Sequence, residues 1–138
     1  MEDCIFCQII AKKIPANIVY ENGHSIAFLD INPINKGHCL VVPKEHHHDL
    51  YNMPKHILHD MIDAVQLLAN KVKKSVNAEG INLGMNNGGA AGQVVFHAHM
   101  HVIPRYGNDG FKQWEHKKYN DNSEMKEYEQ KIKKEMIN

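Results

Sequence analysis

Gln93-Val94-Val95-Phe96-His97-Ala98-His99-Met100-His101-Val102-Ile103-Pro104 is the stretch on which the reading of this chain turns. It is rich in β-branched and apolar residues, so it predicts a long strand from Val94 to Ile103, stopped by the proline. Side chains alternate faces along a strand. Phe96, Ala98, Met100 and Val102 then share an apolar face that can pack against a helix. His97, His99 and His101 share the opposite face, successive ones roughly 7 Å apart at Cα. The segment just upstream, Asn87-Gly88-Gly89-Ala90-Ala91-Gly92, is glycine-rich. Gly88, Gly89 and Gly92 let the backbone come close to a ligand and can turn amides toward phosphate oxygens.

Three imidazoles on one face are chemically loaded. A neutral imidazole can attack an electrophile, and a neighbouring one can donate hydrogen bonds to the charge that develops. Which nitrogen attacks depends on what the other one bonds. Two other readings share this spacing. The rings could be structural histidines with satisfied nitrogens, or three ligands of an open zinc site that generates hydroxide. The glycine-rich approach favours phosphate.

Outward from this strand, Ile81 to Asn86 predicts another strand. Pro54 to Val76 predicts the main helix, with Leu58, Met61, Ile62, Val65, Leu68, Ala69, Val72 and Val76 along its apolar face and Gly80 at its exit. His38 to Pro43 is a strand in which Cys39 is a small buried apolar side chain. Ile18 to Glu21 and Ser25 to Asp30 form a hairpin around Asn22-Gly23, two residues that tolerate positive φ. Cys4 to Ile10 is a short helical segment, broken at Ile14-Pro15. A last, highly charged helix starts near Ser123, with Met125, Tyr128, Ile132 and Met136 on the side expected to dock. Strands joined by short turns and flanked by helices predict an α+β fold with an antiparallel sheet.

The chain has 138 residues, enough for one domain with a core of its own. Lysine plus arginine equals aspartate plus glutamate at 16 each, so no electrostatic grip on nucleic acid is expected. No apolar run approaches the ~20 residues that cross a bilayer, and no basic-then-apolar leader is visible, so a cytoplasmic protein without a membrane partner is expected. Three cysteines make no disulfide framework. Cys4 and Cys7 are spaced as zinc ligands, yet a single C-x-x-C is half a site. The rival reading places both in a helix facing the core.

The histidine strand resembles the histidine-triad (HIT) family, whose signature alternates three histidines with other residues, the first preceded at four positions by a glutamine, here Gln93. Cys4-Ile5-Phe6-Cys7, Ile14-Pro15-Ala16, the strand to Asp30, and His38-Cys39-Leu40-Val41-Val42-Pro43-Lys44-Glu45-His46 also resemble the family's landmarks. The likeness runs over about residues 3–106. It implies a single HIT domain over 1–138 with a tail and helix over about 107–138, and a five-stranded antiparallel sheet continued across a homodimer. It implies that His99 is the nucleophile that becomes nucleotidyl-histidine, and that His101 bonds the phosphate or helps the leaving group. Asp30 would hold the ribose hydroxyls, Ile31 would lie near the base, and Asn86, Gly92, Gln93 and Val94 would surround the phosphate of a purine nucleotide. Read from the residues alone, Asp30 stands at a strand end suited to accepting two hydroxyls, and the rival is a turn-forming aspartate before Asn32-Pro33. The position of Val94 often holds serine or threonine in the family; valine offers only its backbone N–H.

The resemblance also completes the half site: Cys4 and Cys7 joined by His46 and by His97, the first triad histidine, around a structural zinc. No organic cofactor is expected. His47 and His48 are expected to be exposed, and His24, His56, His59 and His116 carry no assigned role. The expected activity is hydrolysis or nucleotidyl transfer at the α-phosphate of nucleoside phosphoramidates, adenylates or dinucleoside polyphosphates. The alternative is a zinc-anchored nucleotide-binding adaptor with little turnover.

Overall fold

The computed structural model describes residues 3–137; residues 1, 2 and 138, included in the expected domain, lie outside the described residues. The elements follow in the order α1 (Ile5–Ile10), β1 (Ile18–Glu21), β2 (Ser25–Leu29), β3 (Cys39–Pro43), α2 (Lys55–Ser75), β4 (Gly80–Gly84), a 3₁₀ turn (Gly89–Ala91), β5 (Met100–Arg105) and α3 (Asn122–Met136). One five-stranded sheet has the order β1-β2-β3-β5-β4, every neighbouring pair antiparallel. The fold class is α+β, as expected.

β2 and β3 are buried on both faces because each face meets a different helix. Ala27, Cys39, Val41 and Val102 pack with Ile57, Met61, Ala64, Val65, Leu68 and Val72 of α2. Ile26, Phe28, Leu40 and Val42 point the other way and pack with Phe6 and Ile9 of α1. Leu40 pairs with His101, so His101 stands on the α1 face of the sheet. That face carries the site.

Several expectations need correction. The histidine strand is shorter and later than predicted: β5 begins at Met100, and His97 and His99 lie in irregular backbone before it. Pro104 does not stop the strand. It pairs with Ile81 inside the ladder, beyond the point where β3 ends opposite Val102, and its carbonyl accepts from the Asn35 side chain at 2.8 Å. Ala98, Met100 and Val102 do join the α2 core, but Phe96 is 45% exposed and stacks on His48. On α2, Ile62 is 52% exposed, and Ile57 and Ala64 are buried in its stead. The helix exits through Asn77 at φ +52°, with Ala78 N–H bonding back to the Lys73 carbonyl; Gly80 already belongs to β4. The β1–β2 hairpin turns at Asn22-Gly23 with neither residue at positive φ; the Asn22 side chain instead accepts from Ser25 N–H and Oγ–H. α3 forms, capped by Asp121 accepting from Glu124 N–H, yet none of its residues is buried, so its apolar side does not dock.

Candidate active site and metal centre

The His97, His99 and His101 rings do not share one pocket. Two of them line a cavity of about 610 Å³, and the third is not among its lining residues. The cavity walls come from α1 (Ile5, Phe6), from β2 and the turn after it (Phe28, Asp30, Ile31), and from the irregular segment before β5 (Gly92, Val94, Val95), with His99 and His101 at one end. Its volume is ordinary for a small-molecule site, roughly 300–1,000 Å³.

Backbone partners settle which nitrogen of each ring carries a proton. His99 Nδ1 lies 2.8 Å from the His97 carbonyl, which can only accept, so Nδ1 holds the hydrogen and Nε2 keeps a free lone pair. Phe6 meets the His99 ring edge-on, its centroid 5.2 Å away, and fixes its plane. His38, a residue that the reading of the sequence left without a role, orders His101. Ile34 N–H donates to His38 Nδ1 at 3.1 Å, so the His38 proton sits on Nε2. That proton reaches His101 Nδ1 at 2.9 Å, which leaves His101 with its own proton on Nε2. His99 therefore presents an acceptor and His101 a donor, with ring centroids 5.0 Å apart. The signal for His38 was available: two residues before Leu40 on a strand, it shares Leu40's face and hence that of His101.

Burial sets the charge of this group. It lowers His101 to about 4, with His99 and His38 adding to the effect and Asp30 opposing it. Burial also lowers His38. Both are neutral near pH 7, so the donors that meet an anion here are dipoles, not cations. Neither lysine nor arginine lines the cavity.

Asp30 divides its two oxygens. Oδ1 accepts from Asn32 N–H at 2.8 Å, the turn-forming role, while Oδ2 lies 3.7 Å from His38 Nε2 and the carboxylate lines the cavity. Ile31 is 85% exposed at the rim. Asn86 lines the cavity and donates to the Gly92 carbonyl at 3.4 Å; a Cβ on Gly92, at φ +96°, would come within 3.3 Å of it. Val94 is 84% exposed and its N–H has no partner among the described residues. Gln93 does not face the cavity. It is buried and braces the loop, accepting from Gly88 N–H and donating to the carbonyls of His48 and Val95. The Gly88 and Gly92 amides are likewise consumed inside the loop, so of the expected phosphate-facing amides these two are not free.

His97 is fully buried and packs edge-on against Phe6, outside the cavity lining. Its Nε2–H donates to the Pro43 carbonyl at 2.8 Å, leaving Nδ1 bare. Around Nδ1 stand Cys4 Sγ at 3.3 Å, Cys7 Sγ at 3.6 Å and His46 Nδ1 at 3.1 Å, with Cys7 Sγ 3.3 Å from His46 Nδ1. All four ligand atoms lie within 4.8 Å of one another. A tetrahedral zinc with ordinary bond lengths holds two nitrogens about 3.3 Å apart and a nitrogen and sulfur about 3.6 Å apart. These separations fit. The Cys4 sulfur also caps α1, accepting from Cys7 N–H at 3.4 Å. Burial and the adjoining Cys4 raise the Cys7 thiol, and burial lowers His97 to about 4; a cation between them would offset the crowding of lone pairs. All four residues expected as ligands are thus brought together. His47 is half-buried rather than exposed, its N-terminal neighbour His46 being drawn into the cluster.

The HIT-domain family model matches residues 11–108. A HIT-like protein of Methanocaldococcus jannaschii is 51% identical over 107 residues, covering 78% of this chain and 82% of its own. The adenylylsulfatase HINT3 of Arabidopsis thaliana is 41% identical over 107 residues, covering 78% of this chain and 54% of its own. Among solved structures, a histidine triad nucleotide-binding protein of Candida albicans superposes with a TM-score of 0.87 at 35% identity, covering 98% of each chain. A zinc-bound histidine triad protein of Mycobacterium smegmatis does so with a TM-score of 0.76 at 34% identity, covering 90% of this chain and 89% of that one. By that family match and by these likenesses of sequence and fold, the chain belongs to the histidine-triad, or HIT, family.

Proposed function

We propose that the protein hydrolyses, or transfers, a nucleotidyl group through a covalent intermediate on His99. One observation carries this reading: the His99 Nδ1–H is tied to the His97 carbonyl, which leaves a nucleophilic Nε2 at the end of a nucleotide-sized cavity. The Nε2 lone pair attacks the α-phosphorus of a nucleoside phosphoramidate, an adenylate or a dinucleoside polyphosphate. The bond to the leaving group breaks, and its electron pair departs with that group. Water then attacks the phosphorus and gives up a proton, the P–Nε2 bond returns its pair to the imidazole, and the nucleoside monophosphate leaves. His101 Nε2–H and Val94 N–H donate to the phosphoryl oxygens as charge gathers there. Being neutral near pH 7, His101 serves as a hydrogen-bond donor; the departing atom takes its proton from water at the open mouth. Asp30 receives the ribose hydroxyls, and Ile5, Phe6, Phe28 and Ile31 enclose a purine base. The relatives described as an adenylylsulfatase and as a nucleotide-binding protein are in keeping with this chemistry.

Cys4, Cys7, His46 and His97 would hold a structural zinc, whose chemistry is to fix the segment that carries His99 and not to take part in the reaction. The zinc-bound relative supports this assignment. The protein would form a homodimer by continuing its sheet at one of the free edges, β1 or β4, and would work in the cytoplasm as one domain. Among the described residues no helix is long and apolar enough to cross a membrane. The test of the main reading is incubation with adenosine 5′-phosphoramidate. AMP release, a trapped adduct on His99, and loss of both in His99→Ala are expected. Tight binding without AMP release would instead favour an adaptor.

A further inference from the structure

Four residues from four strands stand in one row across the sheet: His101 of β5 pairs with Leu40, Leu40 with Phe28, and Phe28 with Ile18. Neighbouring strands lie about 4.8 Å apart, so the row runs for roughly 14 Å from His101 to β1. The sheet thereby ranks the polar residues of the cavity by their distance from the histidines. Asp30, just past β2, is two strands away. Asn17, just before β1, is three strands away, its carbonyl accepting from Leu29 N–H at 3.0 Å. We propose that the Asn17 side chain reads the edge of the base, and that it selects purines carrying an amino or oxo group at the 6-position. The inference rests on the nucleotidyl-transfer reading and adds the residue that recognises the base.

Three features carry the choice of Asn17. The first is direction. With the phosphoryl group at His99 and the ribose at Asp30, the nucleotide continues along the row, and its base points toward β1. The second is the chemistry of the walls. Ile5, Phe6, Phe28 and Ile31 are apolar, so they suit the flat faces of a base and offer nothing to the polar atoms on its edge. Leaving those atoms unpaired inside the cavity costs free energy. The third is a spare amide. Asn17 is exposed, and its side chain has no hydrogen-bond partner among the described residues. The Asn86 side chain, by contrast, donates to the Gly92 carbonyl, and Asn32 sits at the Asp30 carboxylate, to which its N–H donates at 2.8 Å. A carboxamide holds a donor and an acceptor side by side. Adenine matches them with its 6-amino group and N1, and hypoxanthine with O6 and N1–H after the exposed amide turns over. A purine with hydrogen at the 6-position keeps one of the two bonds.

The test is calorimetric titration of the chain with AMP, IMP and purine riboside 5′-monophosphate, the last having hydrogen at the 6-position. AMP and IMP should bind within about threefold of each other. Purine riboside monophosphate should bind about three- to tenfold more weakly, the worth of one hydrogen bond. Asn17→Leu keeps the backbone carbonyl that Leu29 uses and changes an exposed side chain, so Tm should hold. The variant should bring AMP and IMP down to the affinity of purine riboside monophosphate and leave that ligand within about twofold. The wild-type series stands by itself should the variant not fold. Equal affinities of the three ligands for the wild-type chain, or a variant that weakens all three alike, would overturn the inference alone. Failure of all three to bind would overturn the nucleotide reading of the cavity and this inference with it.

Discussion

Replacing His38 by phenylalanine tests the proton arrangement more sharply than replacing either ring that lines the cavity. His38 is 2% exposed, and phenylalanine is close to it in shape, so the cavity should keep its form. What is lost is the Nε2–H donor 2.9 Å from His101 Nδ1. Without it nothing on that side of the ring holds the His101 proton on Nε2, and in molecules that carry it on Nδ1 the Nε2 presents a lone pair to the phosphoryl oxygens. The substrate then loses one hydrogen bond to a charged group, worth about 1.5–3 kcal/mol. At 1.36 kcal/mol per tenfold, kcat/KM should fall by about 10- to 150-fold. Because the donor matters most where charge gathers in the transition state, the loss should appear mainly in kcat. His38→Gln restores an N–H donor and should recover part of the rate. The Ile34 N–H is also orphaned in the phenylalanine variant, so a lower Tm by thermal melting is expected. The measurement is steady-state AMP release from adenosine 5′-phosphoramidate by protein shown to be folded. A folded His38→Phe within about threefold of wild type would refute the claim that His38 sets the His101 tautomer.

Two further outcomes follow from the same residues. His101 is held near 4 in the folded chain against 6.5 for a free histidine, so between these values the unfolded chain binds more protons. Stability should therefore rise with pH from about 4 to 6.5 and be lost as pH falls through that window; Tm measured at half-unit steps checks this, and His101→Gln should flatten the slope. Asp109, held well below the usual carboxylate range by the Arg105 guanidinium, acts only below its ordinary 3.8 and lies outside the window. Metal analysis of natively purified protein should find one zinc per chain, and Cys7→Ser should lose it and lower Tm. Sub-stoichiometric zinc, with a Tm indifferent to chelator, would remove the assignment.

Most of the fold could be read from the chain because its central strands carry apolar side chains at the positions that the sheet buries, Ser25 excepted. Ile26-Ala27-Phe28 and Leu40-Val41-Val42 read as strands whichever face is counted. The candidate metal cluster was legible for a different reason: two cysteines and two histidines at family landmarks, brought together by the fold. The misreadings of the histidine segment share one cause. Val94 to His99 has the composition of a strand, but Gln93 spends its side chain bracing the loop and the His97 ring turns back toward Cys4 and Cys7, so ladder bonding starts only at Met100. Period-two reasoning placed three imidazoles in one pocket, while tertiary bonds placed two. His38 escaped notice because a histidine at the head of an apolar strand has no local pattern; its meaning lies in the partner strand.

The departure from a strand is itself mechanistic. In a regular ladder the His97 carbonyl would point to a neighbouring strand and could not accept from the ring two residues later. Here it accepts from His99 Nδ1–H at 2.8 Å, while the same residue's ring is locked by the Pro43 carbonyl and faces the two cysteines and His46. One residue thus joins the metal cluster by its side chain and the nucleophile by its backbone. Irregular backbone lacks the repeated bonds that make a strand stiff, so something else must hold that carbonyl in place. A tetrahedral ion on the proposed ligand set would supply that hold through the His97 ring, which is not among the cavity's lining residues. The proposed zinc would then fix the aim of His99 from beside the cavity and leave the proposed phosphoryl position to neutral donors.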